Sequence, residues 1–344
     1  MRRRHLTLIS AAALAFGAPL TACSSEDSAN SDASTVNVVA TTTILGDVAQ
    51  QIATCADPDA AVTVLMPIGA DPHDFSPSSA QVAEVVGANI VIANGLGLEA
   101  GLGDALDNAA ADGATVINVA ETVDPIPFGE HNGHDDDHAD DEHSDDEHSD
   151  DEHSDEKATS TDEHADEHGD EDPHFWFDMN RMAQVAELIG DELSASGGAQ
   201  YAECGVQVAD EIRAAEVQVR ALLESVPASQ RILVTDHDAL GYLAETYGYE
   251  IAGTVIPAGT TLAEPSSGEL ADLVATIQSE GVRAIFTNTA EPSALAYAVA
   301  EEVGDDVQVV PLFVGSLGES GSGAEDYVSL MLTDAERIST ALNS

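Results

Sequence analysis

The sequence predicts an α/β protein of two lobes, each built on a mostly parallel sheet flanked by helices, with one long helix joining the lobes. Short apolar runs alternate with amphipathic stretches, which is typical of parallel sheets covered by helices on both faces. These runs fall into two separate sets. Between the sets, a helical pattern without an internal proline continues long enough to form a rod of roughly 30 Å, which can bridge two lobes.

Residues 1–22 have the pattern of a secretory signal peptide. Residues 1–5 are basic, and the apolar run at 6–20 is too short to span a bilayer but suits the core of a signal. The run ends in Leu20-Thr21-Ala22-Cys23, which resembles a bacterial lipobox. We therefore expect Cys23 to become the lipid anchor of an extracytoplasmic protein held at the cell membrane. The alternative is an ordinary signal peptide with an incidental cysteine.

The charge of the chain restricts its partners. There are 64 acidic residues against 10 basic ones, a formal net charge of −54 at pH 7. Because such a surface repels phosphates and anionic headgroups, we expect no nucleic-acid partner and membrane contact through the lipid alone. A surface of this charge attracts metal ions and other cations, so these are the expected ligands. Hydrophobic residues make up 43% of the chain and aromatic residues 4%, which predicts a sizeable, mostly aliphatic core.

Residues 36–200 are predicted to form the first lobe, after a flexible Ser/Asp/Ala-rich tether at 23–35. Helical patterns cover residues 78–87 and 181–190. The apolar runs that we interpret as strands lie at residues 36–42, 61–66, 90–93 and 115–119.

An insertion of different composition interrupts this lobe at residues 130–172. It holds 22 acidic residues, eight histidines and one lysine, and Asp140-Asp141-Glu142-His143-Ser144 recurs twice more at intervals of five residues. It has almost nothing apolar to bury, which predicts disorder. Imidazoles among carboxylates bind divalent ions weakly and multivalently, so we interpret the insertion as a metal-capturing segment rather than a plain acidic linker. Its histidines are His131, His134, His138, His143, His148, His153, His164 and His168.

Residues 201–226 are the predicted connecting helix, and residues 227–344 are the predicted second lobe. The apolar stripe of the helix consists of Val208, Ile212, Val219 and Leu222. Helical patterns in the second lobe cover residues 268–280 and 293–303. Its strand candidates lie at residues 232–235, 250–255, 284–287 and 308–313.

Cys55 and Cys204 are the two cysteines beyond the signal and its Cys23. Outside the cytoplasm, an even pair of cysteines is more often a disulfide than two free thiols. A cysteine-based metal site would need closer spacing. We therefore predict a bond between them.

Three histidines outside the signal and the insertion have similar surroundings: His73, His174 and His237. An aspartate precedes each by one or two residues, where its carboxylate can accept the second ring proton of a metal-bound imidazole. His73 and His237 directly follow predicted strands, and ligands of open α/β sheets bind beyond the carboxyl ends of strands. A lone histidine is more often structural, but this set of three is interpreted as metal ligands.

With these motifs the sequence resembles the cluster A-I solute-binding proteins of zinc and manganese ABC transporters, over roughly residues 36–342. Its three ligand motifs are matched by Gly69-Ala70-Asp71-Pro72-His73-Asp74-Phe75-Ser76-Pro77, Asp172-Pro173-His174-Phe175-Trp176-Phe177-Asp178 and Thr235-Asp236-His237-Asp238-Ala239-Leu240-Gly241-Tyr242. Supporting matches are Asn94-Gly95-Leu96-Gly97-Leu98-Glu99 and Ala263-Glu264-Pro265-Ser266. The resemblance implies two α/β lobes joined by one rigid long helix, an ion in the cleft between them, and the transporter's permease as partner. We expect a monomer.

The resemblance also implies a fourth, acidic ligand in a motif near the C-terminus. The corresponding stretch is Leu312-Phe313-Val314-Gly315-Ser316-Leu317-Gly318. Gly315 stands at the expected acid position and has no side chain to bind a metal. The fourth position is therefore open to water, to a histidine of the insertion, or to an acid such as Glu319, and the first two are preferred.

The ligand set points to zinc. Imidazole-rich sites favour Zn²⁺, whereas Mn²⁺ prefers oxygen, and the resemblance implies that manganese members place a carboxylate where His237 stands. Mn²⁺ is the alternative, and Cu²⁺ or Ni²⁺ can bind as tightly in vitro. Binding should weaken below about pH 6, because the ligands must be neutral imidazoles.

Two other functions fit parts of the pattern. Three histidines with an open position are the layout of a zinc hydratase or hydrolase, with Asp74, Asp236 or Asp238 as the base. The chain has no His-Glu-x-x-His pattern, and the lipobox and the insertion suit capture and delivery, so we expect no enzymatic activity. A metal-dependent surface adhesin is the second alternative.

Overall fold

The computed structural model describes residues 36–129, 171–290, 294–304 and 307–344. The predictions for the signal, for Cys23, for the tether and for residues 130–170 with their eight histidines lie outside these residues. Within them, none of the helices has the length and apolar character needed to cross a membrane.

Strands and helices alternate along the described residues. The strands are β1 Val38–Ala40, β2 Val62–Val64, β3 Ile90–Ala93, β4 Thr115–Asn118, β5 Ile232–Thr235, β6 Glu250–Thr254, β7 Ala284–Asn288 and β8 Gln308–Leu312. The α-helices are α1 Thr43–Ala56, α2 Ser79–Val86, α3 Gly103–Ala111, α4 Met179–Gly197, α5 Gln200–Glu224, α6 Gly241–Tyr247, α7 Ser267–Glu280, α8 Ala294–Val303 and α9 Tyr327–Leu342. Short 3₁₀ helices are Ala100–Leu102, Ala120–Thr122, Phe175–Phe177 and Ala228–Gln230.

In the described part of the chain, the strands form two parallel four-stranded sheets. Their orders are β2-β1-β3-β4 and β6-β5-β7-β8, so each sheet has the same permuted topology. All six strand pairs that join these elements are parallel. The predicted fold class, two α/β lobes joined through a long helix, is confirmed.

The central strands are mostly apolar because both faces of each sheet are covered, and the polar residues of β5 and β7 stand at their carboxyl ends. In β3, Ile90 and Ile92 pack into the main core, whereas Val91 between them packs into a smaller cluster on the other face. In β7, Phe286 faces the main core and Ile285 the opposite cluster. Successive strand residues point to opposite faces, so burial of both faces produces continuous apolar runs.

Helix α5 contacts both lobes. Near its start, Cys204 is bonded to Cys55 of α1, with a Cα–Cα distance of 5.9 Å. Near its end, the carbonyl of Leu223 accepts a 2.8 Å hydrogen bond from the hydroxyl of Tyr249 in the second lobe. A helix anchored at both ends limits movement between the lobes. The exact lobe boundaries at residues 200 and 226 stay predictions.

Several predicted bounds differ from the structure, the largest difference being the helix expected at 181–190, which is α4 at Met179–Gly197. Two of the differences are explained by hydrogen bonds. The first strand was expected at 36–42, but β1 ends at Ala40 because Thr42 caps α1, accepting a hydrogen bond from the Leu45 N–H. The insertion was expected to be disordered as far as Asp172, yet Glu171 forms a β-bridge with Pro127 and Asp172 is buried. The Asp172 N–H donates to the carbonyl of Ile126, so the chain is fixed before His174 is reached.

Candidate metal centre

The three predicted histidines meet at the interface of the lobes. The ring centroids of His73, His174 and His237 are 5.3 to 5.4 Å apart in all three pairs. One nitrogen from each ring lies within 4.8 Å of the other two. All three side chains are buried. The rings therefore form a nearly equilateral triangle whose centre is shielded from solvent.

Each histidine is carried by a different segment. His73 lies in the loop between β2 and α2, and His174 immediately precedes the 3₁₀ helix Phe175–Phe177. His237 follows β5, whose last residue is Thr235. Two ligand candidates thus come from the first lobe and one from the second. His237 stands directly beyond the carboxyl end of a strand, as predicted, whereas His73 lies nine residues after Val64, the last residue of β2, and does not follow its strand directly.

The preceding aspartates orient two of the rings directly. The Nδ1 atom of His174 lies 2.7 Å from Oδ1 of Asp172, and the Nδ1 atom of His237 lies 2.9 Å from Oδ1 of Asp236. A ring whose Nδ1–H is held by a carboxylate presents the lone pair of Nε2 to a metal. Asp71 acts on the backbone instead, since its Oδ1 accepts from the His73 N–H at 3.1 Å.

Burial and charge set the protonation of the rings. Burial, aided by the charge of His237, places the pKa of His174 well below its ordinary value, which keeps this imidazole neutral. Burial also lowers the pKa of His237, but the charge of Asp236 and its hydrogen bond outweigh that effect and raise the pKa overall. Burial raises the pKa of Asp172 well above its ordinary value. A cation at the centre favours the ionised aspartates and the neutral imidazoles that bind it.

The geometry fits a divalent cation. The Nε2 atoms of His73 and His174 are 3.2 Å apart, and two nitrogens on one tetrahedral zinc ion, each about 2.0–2.1 Å from the metal, are about 3.3 Å apart. The Nε2 atom of His237 is buried and has no hydrogen-bond partner among the described residues. Such an atom is costly to bury unless something else satisfies it, and a metal ion would do so.

The described residues supply no carboxylate to this ligand group. Gly315 lines the site, but a Cβ atom there would lie 2.7 Å from Cδ of Pro72, so even a small side chain would displace the loop that carries His73. Glu319 is exposed and is not in the ligand group. The histidines of the insertion lie outside the described residues, so water or one of them stays the expected fourth ligand.

The three aspartates considered as catalytic bases, Asp74, Asp236 and Asp238, differ in exposure and in hydrogen bonding. Asp74 is exposed, whereas Asp236 and Asp238 are buried. Both oxygens of Asp236 are engaged, because Oδ1 faces His237 and Oδ2 accepts from the Asn288 N–H at 2.6 Å.

Sequence reasoning missed three contributors to the site. Asn288, the last residue of β7, supports Asp236 through its backbone. The indole N–H of Trp176 donates to the Val314 carbonyl at 2.9 Å, and the Thr261 hydroxyl donates to Oδ2 of Asp71. A polar residue that ends a buried strand was a usable signal for Asn288. The other two contacts join residues far apart in the chain, for which a single sequence holds no signal.

Known proteins that the chain resembles are named for the uptake or binding of zinc or manganese. The family model of the periplasmic zinc-uptake complex component A, ZnuA, matches residues 38–341. The manganese-binding lipoprotein MntA of Halalkalibacterium halodurans is 24% identical over 325 residues, which cover 93% of each chain. The zinc-binding protein TroA of Treponema pallidum is 25% identical over 307 residues, 87% of each chain. The solved structure of the periplasmic zinc binding protein TroA from Treponema pallidum has the same fold, with a TM-score of 0.70 at 24% identity, over 89% of this chain and 98% of that one.

Proposed function

The chain belongs to the ZnuA family, and we propose that it is an extracytoplasmic binding protein that captures Zn²⁺ and delivers it to the permease of an ABC transporter. The observation that carries the proposal is the buried triangle formed by His73, His174 and His237. Three buried imidazoles, two of them oriented by carboxylates, can bind a divalent cation tightly without catalysing a reaction on it.

Zinc is preferred over manganese because the ligand group contains nitrogen alone. Mn²⁺ favours carboxylate and water oxygens, and borderline ions such as Zn²⁺ favour imidazole. The close approach of Pro72 to Gly315 supports this choice, since it leaves no room for an acidic side chain at that position. Manganese stays the second candidate cargo because a relative of similar identity is named for manganese binding.

Delivery is proposed to begin in the insertion and to end at the membrane. The insertion would collect the ion and pass it to the histidine triangle, where it is held until the lobes meet the permease. Cys23 would anchor the protein to the membrane through its lipid. A small lobe displacement would release the ion, since His237 belongs to a different lobe from His73 and His174.

Metal binding to the purified protein tests the cargo. Isothermal titration with Zn²⁺ and with Mn²⁺ should show one tight zinc site that is lost in His237→Ala and retained in the exposed control Asp74→Ala. Manganese binding as tight as zinc binding would favour the alternative cargo. A tight zinc site that survives loss of His237 would contradict the proposed ligand set.

Uptake experiments test delivery. Deletion of the gene should impair growth in zinc-poor medium, with rescue by the wild-type protein and by Asp74→Ala but not by His237→Ala. Normal zinc uptake with a loss of surface attachment would favour the adhesin.

Removal of residues 130–170 separates the fourth-ligand alternatives, because unchanged zinc affinity would exclude a histidine of the insertion as an essential ligand.

A further inference from the structure

Two consecutive residues of the second lobe hold one residue of the first. Gly241 and Tyr242 begin helix α6, four and five positions after His237. Both contact Asp172, whose carboxylate orients His174. The segment that carries one proposed ligand therefore reaches across to the support of another.

The hydroxyl of Tyr242 ties two backbone segments together. It donates to the Asp172 carbonyl at 3.0 Å and accepts from the Ile126 N–H at 3.2 Å. The Asp172 N–H in turn donates to the Ile126 carbonyl at 2.8 Å. These three bonds close a small ring that joins the backbone before residue 130 to the backbone after residue 170. Tyr242 is fully buried, and its ring lies under the guanidinium of Arg181, 4.9 Å from the ring centroid.

The absence of a side chain at Gly241 leaves room for the carboxylate of Asp172. A Cβ atom at Gly241 would lie 2.7 Å from Oδ2 of Asp172, which is closer than side chains approach one another. That oxygen is buried and has no hydrogen-bond partner among the described residues, and it lies where a side chain at residue 241 would begin. The other oxygen, Oδ1, accepts from the backbone N–H of His174 at 2.9 Å and faces Nδ1 of the ring at 2.7 Å.

We propose that Gly241 and Tyr242 are positioning residues for the metal: they hold Asp172 across the lobe interface, so that the segment carrying His237 also fixes the imidazole of His174. The proposal rests on the proposed metal site. It predicts that the two ligands are coupled, because a displacement of the segment 237–242 removes His237 and loosens His174 together. Groups that orient metal ligands typically alter affinity by about 10–100-fold when they are removed.

Tyr242→Phe tests the role of the hydroxyl, and Tyr247→Phe is the matched control. Both tyrosines lie on α6 and are buried, but the Tyr247 hydroxyl has no hydrogen-bond partner among the described residues. We expect Tyr242→Phe to speed zinc dissociation by about tenfold, the lower end of that range, because the residue acts through Asp172. The absorption bands of bound Co²⁺ should shift, and exchange of the Ile126 and Asp172 amide protons should accelerate. Tyr247→Phe should match the wild type in all three measurements.

Coupling to Asp172 distinguishes positioning from general destabilisation. In an Asp172→Ala background, Tyr242→Phe should have no further effect on zinc dissociation, because the proposal has the Tyr242 hydroxyl act on the metal through the Asp172 backbone that places this carboxylate, and the carboxylate is then absent. Full additivity of the two changes would overturn the proposal, as would a Tyr242→Phe protein whose zinc dissociation and Co²⁺ spectrum equal those of Tyr247→Phe.

A second substitution tests the carboxylate contact. Gly241→Ala should displace Oδ2 of Asp172 and change the Co²⁺ spectrum in the same direction, and it decides the question if Tyr242→Phe does not fold. An unchanged spectrum and dissociation rate in Gly241→Ala would contradict the role of Gly241.

The wild-type titration separates the two proposals. If the wild-type protein binds neither Zn²⁺ nor Co²⁺, the proposed function fails. If the wild type binds them and the variants bind them equally well, the positioning role alone is removed.

Discussion

The Nε2 atoms of His73 and His174 lie 3.2 Å apart, although 101 positions separate the two residues in the chain. The Nδ1 atom of His174 faces Asp172, so its proton lies on that side and the Nε2 lone pair points to the centre of the triangle. Burial disfavours a charged ring at this place. The close approach is therefore best suited to two neutral ligands that share one cation.

Loss of the carboxylate behind His237 should weaken metal binding. Asp236→Ala removes the acceptor for Nδ1 and frees the ring to rotate, so we expect zinc affinity to fall by about 10–100-fold. Competition with a chromophoric chelator measures the change. Asp74→Ala is the matched control, because it removes a nearby charge from an exposed side chain. Equal affinities in the two variants would show that Asp236 does not orient the ligand.

Gly315→Ala should disturb the site even though glycine contributes no ligand. The new Cβ atom would lie 2.7 Å from Cδ of Pro72, next to His73. We expect weaker zinc binding and a loss of about 1–3 kcal/mol in the free energy of unfolding, as is usual for overpacking. Gly103→Ala is the control, since no atom lies within 4 Å of a Cβ placed there. Wild-type zinc binding and stability in Gly315→Ala would refute this account of the contact.

The disulfide should contribute to stability and not to the metal site. Cys55 and Cys204 join α1 to α5 over a sequence separation of 149 residues. Replacing both by alanine should lower the free energy of unfolding by about 2–5 kcal/mol in urea titrations of the metal-free protein. Zinc affinity should stay within about twofold of the wild type, because the bond is on the helices and away from the ligand loops. An unfolding curve identical to that of the wild type would be the contrary result.

Asp334 should make stability depend on pH. It lies on α9, and both its oxygens lie 3.1 Å from the Phe313 backbone nitrogen. Burial raises its pKa from 3.8 to about 7, although the Phe313 N–H and the charge of Arg337 oppose the shift. The folded protein therefore holds this proton more tightly than the unfolded chain does. The resulting stability is complete below about pH 4 and is lost as the pH rises through about 7.

Asp334→Asn isolates this effect. An amide oxygen can still accept from the Phe313 N–H, but the residue no longer titrates. Between about pH 4 and 7, the free energy of unfolding of the wild type should fall relative to the variant by up to about 1.4 kcal/mol per pH unit. Urea unfolding across this range measures the difference. A difference that does not vary with pH would mean that the carboxyl group titrates at its ordinary pKa.

The features that could be predicted from the sequence are those with a local signal. The strands β3 and β5 were predicted at their observed bounds, because burial of both faces leaves short apolar runs between helices. The histidines of the triangle were identifiable from the aspartates that precede them.

The remaining features depend on contacts between distant parts of the chain. Asp172 was assigned to the disordered insertion because its neighbours are acidic, but contacts with Ile126, 46 residues earlier, and with Tyr242, 70 residues later, fix its backbone. The support that Asn288 gives to Asp236 arises when β5 and β7 pair. Pro72 and Gly315 likewise meet through the assembly of the two lobes.

Anomalous diffraction at the zinc edge, from crystals of the zinc-loaded protein, tests the proposed site most directly. We predict a strong peak at the centre of the triangle, about 2.0–2.1 Å from one nitrogen each of His73, His174 and His237. Crystals of His237→Ala prepared in the same way should show that peak weakened or absent. A wild-type crystal with no peak at the triangle, or with zinc bound at other positions alone, would contradict the proposed site and the function that rests on it.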